Sequence, residues 1–169
     1  TNIIKKFCQS YPDKISYVSG SPTGSAKQNF AKLLLSCDDD YIMFCDQDDV
    51  WLPEKIEKTL AAMKVAENEK DIPVLVHTDL KVVDPNLREI APSFFGFQQL
   101  IQDNINLPKL LVQNYVTGCT VMINRALKQK CGEIPNECIM HDWWLGLVAV
   151  LFGKLICLNE ATNRNRKIE

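Results

Sequence analysis

The sequence has no excess of basic charge. Its 19 lysines and arginines face 21 aspartates and glutamates, for a net charge of −2. Nothing in that balance neutralises a phosphate backbone, so nucleic-acid binding is not expected. A long apolar run is missing too. A membrane span needs roughly 18 apolar residues, and the longest stretch, from Trp143 to Phe152, is about half of that and reads as a buried helix. The opening Thr1-Asn2-Ile3-Ile4-Lys5-Lys6 is too short and too amphipathic for a signal peptide. The seven cysteines include no C-x-x-C pair and their number is odd, which argues against a disulfide framework and a clustered zinc site. Cys37, Cys45, Cys119 and Cys157 stand in or beside apolar runs. There a free thiol acts as a small hydrophobe, and reduced core residues of a cytoplasmic protein are expected. No G-x-x-x-x-G-K run is present, which counts against P-loop phosphoryl transfer.

What is present is an ordinary globular composition, 46% hydrophobic and 24% charged over 169 residues, the size of a single domain. Apolar spacing predicts a short helix over residues 3–8, a short alternating strand over 15–19, a Gly/Ser/Pro/Thr loop over 20–25 and a helix over 30–35. The continuous apolar run Tyr41-Ile42-Met43-Phe44-Cys45 has the length and flanks of a buried central strand. Pro53 then opens an amphipathic helix over 54–63. A strand follows over 74–77, and Leu80 to Asp84 leads into a Pro85-Asn86 turn. Residues 91–106 have no clean period and read as loop with some helix. A helix is expected over 108–113 and a strand over 116–123, with Gly118 as a bulge or close approach. Helices over 125–130 and 141–152 precede a last strand over 154–158. The polar Asn163-Arg164-Asn165-Arg166-Lys167 is expected to fray. Alternating strands and helices imply an α/β sheet with crossovers.

The most informative segment is Asp46-Gln47-Asp48-Asp49, three carboxylates in four residues directly after the predicted central strand. In open α/β sheets, ligands bind beyond the carboxyl ends of the strands. Crowded carboxylates repel unless a cation or solvent relieves them, and their oxygens suit hard cations such as Mg²⁺ or Mn²⁺. A substrate diphosphate would fill further positions around such an ion. The plainer reading of the same residues is a solvated acidic turn with Asp49 capping the next helix. The equally acidic Asp38-Asp39-Asp40 precedes the strand and reads as a solvated loop.

Asp46-Gln47-Asp48-Asp49-Val50-Trp51-x-Pro53-x-Lys55 resembles the D-x-D segment of family-2 inverting glycosyltransferases. It is closest to the rhamnosyltransferase-like bacterial enzymes of cell-surface polysaccharide assembly. Three further blocks agree in order and spacing. They are His77-Thr78-Asp79-Leu80 with Val83-Asp84, then the stretch from Asn114 to Arg125, then Met140-His141-Asp142-Trp143-Trp144. The resemblance implies a nucleotide-diphospho-sugar transferase (GT-A-type) fold, a mixed sheet flanked by helices, with residues 1–169 forming one catalytic domain.

It also implies roles for particular residues. Asp48 would hold Mg²⁺ or Mn²⁺, with Asp46 serving the donor or the metal and Asp49 behind them or capping a helix. Asp142 would be the catalytic base that takes the acceptor hydroxyl's proton in a single displacement, although a carboxylate there also suits a helix N-terminus. His141 would orient Asp142, meet the acceptor, or be purely structural. Gly118 and Cys119 would let backbone approach the acceptor, while Asp79 and Trp143 would contact sugar or, in the default for a tryptophan, pack. His77 reads as a strand residue with a local hydrogen bond. Lys27 and Asn29, after the glycine loop, would touch the donor. The implied partners are a nucleotide-diphospho-sugar donor and a saccharide or lipid-linked acceptor, the latter bringing contact with the inner face of the membrane.

Two departures stand beside the match. The chain opens at what resembles the helix after the family's Asp-Asp-Gly-Ser-type motif, so the nucleotide-gripping strands are expected to be missing and the domain N-terminally truncated. The relatives' Tyr-Arg-Gln-His-type segment is replaced by residues 163–167, where Arg164 or Arg166 is the alternative diphosphate ligand. The truncation leaves a second reading open, an inactive sugar- or nucleotide-binding remnant of such a domain.

Overall fold

The computed structural model describes residues 2–18, 24–68 and 71–166. In chain order the elements are α1 (Asn2–Ser10), α2 (Ala26–Leu35), β1 (Tyr41–Met43), β2 (Val50–Trp51), α3 (Lys55–Glu67), β3 (Val74–Val83), β4 (Glu89–Ala91), α4 (Phe94–Phe97), α5 (Leu107–Val112), β5 (Met122–Asn124), α6 (Arg125–Cys131), α7 (His141–Phe152) and β6 (Lys154–Arg166). One sheet runs β1-β5-β3-β6-β2, with β4 paired to the far end of β3. β3 and β6 are parallel, while β1–β5, β5–β3, β3–β4 and β2–β6 are antiparallel. The sheet is therefore mixed.

Side-chain alternation along the central strands builds a core on each face, and a third cluster of Leu80, Val82, Ala91 and Cys119 forms toward the far end of β3. Leu75 and Ile123 point to one face, where they pack with Leu34, Phe44, Leu127, Leu145 and Ala149 under α2, α6 and α7. Val74, Val76 and Met122 point to the other, against Met63 and Ala66 of α3. This period of two is what a sheet buried on both faces requires. Gly153 closes the turn between α7 and β6. A β-carbon there would lie 1.8 Å from the Pro73 carbonyl oxygen, so only glycine fits. Asn124 seals the sheet end. Its Oδ1 accepts the N–H groups of Val74 and Leu127, and its Nδ2 donates to Glu67 and the Ile72 carbonyl.

Several expectations need correction. Residues 15–18 are not a strand, because no neighbouring edge among the described residues completes a ladder, and Tyr17 and Val18 are exposed; Ser19 and residues 20–23 of the expected loop lie outside the described residues. The run over 116–123 is shorter as a strand than expected. Gly118–Thr120 forms a 3₁₀ turn and only Met122–Asn124 pairs. Residues 163–166 do not fray but complete β6, and Asn163 is fully buried; Lys167 lies outside the described residues. Of the four cysteines expected in the core, only Cys119 is buried, and Cys45 is exposed. All seven are free thiols.

Candidate active site

The apolar run over 41–45 is not a central strand: β1 stands at one end of the strand order, paired to β5, and covers only Tyr41–Met43, with Ile42 buried and Cys45 exposed. Beyond its C-terminal end the chain enters the acidic turn. Asp46 and Asp49 carboxylate oxygens and the Cys119 sulfur all lie within 4.8 Å of one another. Burial pushes the Asp46 carboxyl above the usual aspartate range, and the charges of Asp49, Asp48 and Asp142 push it further in the same direction. Asp142, far away in sequence, is tied to this group through adjacent residues: the Gly118 N–H donates to its Oδ2, and the Cys119 sulfur stands with Asp46 and Asp49.

Asp49 does not cap α3. Glu54 occupies that cap position and makes no side-chain hydrogen bond to the helix. Instead Asp49 is held from β6. Asn163 Nδ2 donates to its Oδ2 at 3.1 Å, and Asn165 Nδ2 donates to its Oδ1 at 2.9 Å. The two amides share a face because they are two residues apart on a strand. The β3–β6 register supplies the local bend. Thr78 pairs with Leu158 but Asp79 pairs with Ala161, so Asn159 and Glu160 are extra residues on β6. Such irregularities re-aim side chains beside sites. Arg166, one of the two arginines expected in a frayed tail, donates to the Asp48 backbone carbonyl. Burial, and then the nearby Asp49 charge, raise the Cys119 thiol well above its ordinary value. The group is a mixed set of two carboxylates and one thiol, and its carboxylate oxygens suit a hard divalent cation.

Asp142 sits in the first turn of α7 and is buried. Its Oδ2 accepts the Gly118 N–H at 2.8 Å. Its Oδ1 accepts Asn114 Nδ2 at 3.2 Å and the Trp143 N–H at 2.7 Å. Burial raises its pKa, against the lowering effect of His141 and of these hydrogen bonds. A carboxylate with a raised pKa and a fixed orientation is suited to taking a proton. It opens onto a hollow of about 240 Å³ lined by Phe94, Gln98, Leu100, Asn114, Thr117 and others.

His141 is buried, stacked on Phe30 with ring centroids 4.6 Å apart and edge-on to Phe44 at 5.3 Å. Neither ring nitrogen has a hydrogen-bond partner, and burial lowers its pKa. It is packed into the core behind Asp142. Gly118 is the close approach that the sequence suggested. A β-carbon there would meet His141 Nε2 at 3.0 Å and Asp142 Oδ2 at 3.3 Å.

The remaining candidates are spread around this centre. Asp79 is buried, and its Oδ1 accepts the N–H groups of Leu80, Phe94 and Phe95, which anchors α4. It also lines a second hollow with Gln102, Asp103 and Asn159. Trp143 Nε1 donates to the Leu110 carbonyl at 2.5 Å, and its ring lines an apolar groove with Leu111, Pro135 and Met140. Lys27 donates to the carbonyls of Asn136 and Cys138, tying α2 to the loop before α7. Asn29 is exposed one turn into α2, with its N–H on the Ser25 carbonyl. Lys27 is thus directed at the loop before α7. His77 has no local hydrogen bond. It is fully buried, both ring nitrogens lack partners, and it meets the Phe95 ring edge-on at 6.0 Å.

Sequence reasoning missed Lys55, Asn163 and Asn165 as parts of this centre. Lys55 was visible only as the last residue of the acidic block, and the two asparagines stood in a stretch read as tail.

Residues 1–130 match the family model described as Glycosyl transferase family 2. The chain is 40% identical to "dTDP-rhamnosyl transferase RfbG" of Shigella flexneri, with 85% of this chain and 50% of that protein covered. Its fold matches the crystal structure of S. aureus TarS 1–349 in complex with UDP-GlcNAc. The TM-score is 0.62 at 18% identity, over 98% of this chain and 46% of that one. The mixed sheet flanked by helices is thus a GT-A-like architecture, and the chain spans about half the length of these two relatives. Among the described residues no helix is long and apolar enough to cross a membrane.

Proposed function

The chain belongs to glycosyl transferase family 2, and from that premise we propose that it transfers a sugar, with inversion, from a nucleotide-diphosphate donor to a saccharide or lipid-linked acceptor in bacterial cell-surface polysaccharide synthesis. One observation carries the reading. The Gly118 N–H holds Asp142, and the next residue, Cys119, has its sulfur within 4.8 Å of the Asp46 and Asp49 carboxylates. That short backbone link between a base and a cation-seeking turn supports a displacement between a hydroxyl and a sugar diphosphate.

In this reading Asp48 and Asp46 hold Mg²⁺ or Mn²⁺, whose charge would stabilise the leaving diphosphate. The Asp46 and Asp49 carboxylates converging beside Cys119 are the observation that fits such an ion; Asp48 is not among the converging groups, and its part in holding the ion comes from the family motif. Asp142 takes the proton of the acceptor hydroxyl as that oxygen attacks the anomeric carbon. The hydrogen bonds from Gly118 and Asn114 hold its two oxygens in place while it does so. The 240 Å³ hollow beside it admits the acceptor, with Phe94 and Thr117 on its walls. The name of the 40% identical relative makes dTDP-rhamnose the first donor to test.

The test is transfer of radiolabelled rhamnose by the full-length protein with Mn²⁺. Asp142→Asn is expected to bind donor normally while turnover drops at least about 10²-fold, the lower end for loss of a general base. Turnover retained in Asp142→Asn removes it as base.

A further inference from the structure

Lys55 is the largest fully buried side chain among the described residues, 1% exposed, and it carries an ammonium. Its Nζ donates to the Cys119 carbonyl at 3.1 Å, Thr162 Oγ1 at 3.2 Å and Asn163 Oδ1 at 3.4 Å, and lies 5.1 Å from the Trp51 ring centroid. Among the described residues none of the ion pairs includes it. Burying a cation without a paired carboxylate is expensive, so its placement needs a reason.

The geometry of Asn163 supplies one. Lysine has only donors, so it faces the carbonyl end of that amide and leaves the NH₂ end toward Asp49. The ammonium and the Asp49 carboxylate favour the same amide orientation from its two ends, since the flipped one would set a carbonyl oxygen against that carboxylate and an NH₂ against the ammonium. Without the ammonium the amide is held from one end only.

We propose that Lys55 is a positioning residue of the acidic turn, which fixes Asp49 through the side chain of Asn163; this rests on reading that turn as the cation and donor site. The chain of contacts runs from an ammonium behind the sheet to a carboxylate at its mouth. Asp49 and Lys55 do sense each other, since the Asp49 charge favours the protonated lysine against the effect of burial.

Two readouts on full-length protein test this. In the metal-free protein, the Asn163 side-chain amide should give a resolved, exchange-protected ¹⁵N–¹H pair, which Lys55→Met should broaden or abolish. With Mn²⁺ alone as probe, followed by the electron paramagnetic resonance signal of the free ion, Lys55→Met should weaken binding about tenfold, the size expected when one charge-assisted hydrogen bond is lost. Asn163→Leu approaches the same link from its other end and decides the matter if Lys55→Met does not fold. The double variant should bind no more weakly than the worse single one. An unchanged Asn163 amide in Lys55→Met overturns the link, and unchanged Mn²⁺ affinity overturns the positioning role. If the unaltered protein binds no Mn²⁺, the cation reading of the turn fails, and the positioning role with it, while the amide signal still decides the link.

Discussion

The Gly118 N–H donates to Asp142 Oδ2 at 2.8 Å, and a β-carbon on Gly118 would stand 3.3 Å from that oxygen and 3.0 Å from His141 Nε2. The His141 ring cannot retreat easily, because Phe30 and Phe44 lie against it. Gly118→Ala should therefore displace the carboxylate or the backbone N–H that holds it. Overpacking of this kind costs about 1–3 kcal/mol, and a displacement near 1 Å at a reacting group costs on the order of 10²-fold in rate. Thermal melts and single-turnover transfer should show both losses, with donor affinity kept. Full activity in Gly118→Ala would mean that the Gly118–Asp142 bond does not set the base.

The pKa of Asp142 gives a sign for the pH profile. Burial holds it above the usual aspartate value, while hydrogen bonds from Trp143, Gly118 and Asn114 pull it back. The base works only when ionised, so the rate should rise as pH climbs through this raised pKa. Asn114→Ala removes one donor that favours the ionised form, and its acid limb should move to higher pH. A stability effect of opposite use follows. An acid whose folded pKa is raised opposes folding above that pKa and is neutral below the unfolded one. Asp142→Asn removes that penalty but sets an NH₂ group against one of the N–H donors of Gly118, Asn114 or Trp143, so the pH dependence is the readout: in melts, the unaltered protein should gain stability relative to the variant as pH falls. A rate profile in which the acid limb of Asn114→Ala stays in place would remove Asp142 as the titrating base.

Much of this centre was readable from residue order, and the rest was not for identifiable reasons. The acidic turn could be placed after a strand because the apolar run from Tyr41 has strand length, but that run did not reveal that β1 ends at Met43 and lies at one end of the sheet, because the partners that set strand order are distant in sequence. The start of α7 could be placed because His141-Asp142 abuts a strongly apolar helix. β6 was cut short because its second half, Asn159-Glu160-Ala161-Thr162-Asn163-Arg164, shows no hydrophobic period. Its burial is made good by amide and carboxylate partners that lie more than a hundred residues away. Lys55 escaped notice because a lysine in an amphipathic helix is nearly always solvated. The alternating residues 15–18 misled in the opposite sense, since a strand pattern with no partner edge does not make a strand.

His77 predicts how the fold responds to acid. Burial lowers its pKa from 6.5 to about 4. Above pH 6.5 neither the folded nor the unfolded chain holds that proton, and the residue has no pH effect. Between 6.5 and about 4 only the unfolded chain takes it up, so stability falls as pH falls, by about 3 kcal/mol in all. His77→Leu should flatten that part of the profile. At neutral pH it should be close to neutral, because the ring nitrogens it removes have no partners. Chemical denaturation at pH 7.5, 5.5 and about 4 measures it, with values chosen around the two pKa limits. Parallel curves for both proteins would assign the acid sensitivity elsewhere.

Asp48 and Asp49 are neighbours whose losses should look different. Asp49 has both oxygens tied to amides on β6 and stands with Asp46 and Cys119. Its removal strands the Asn163 and Asn165 donors and loosens the seam between β2 and β6. Asp49→Ala should cost about 1–3 kcal/mol even without any divalent ion, the usual penalty for unpaired buried polar groups. Asp48 is fastened through its backbone carbonyl by Arg166, and none of the side-chain hydrogen bonds or ion pairs shown above uses its carboxylate. Asp48→Ala should change stability by no more than about 0.5 kcal/mol. If it holds the cation, the same variant loses Mn²⁺-dependent binding of a nucleoside diphosphate in calorimetric titration. Normal nucleotide titration in a stable Asp48→Ala would move the cation to the Asp46–Asp49 pair, because those are the carboxylates the fold already holds together.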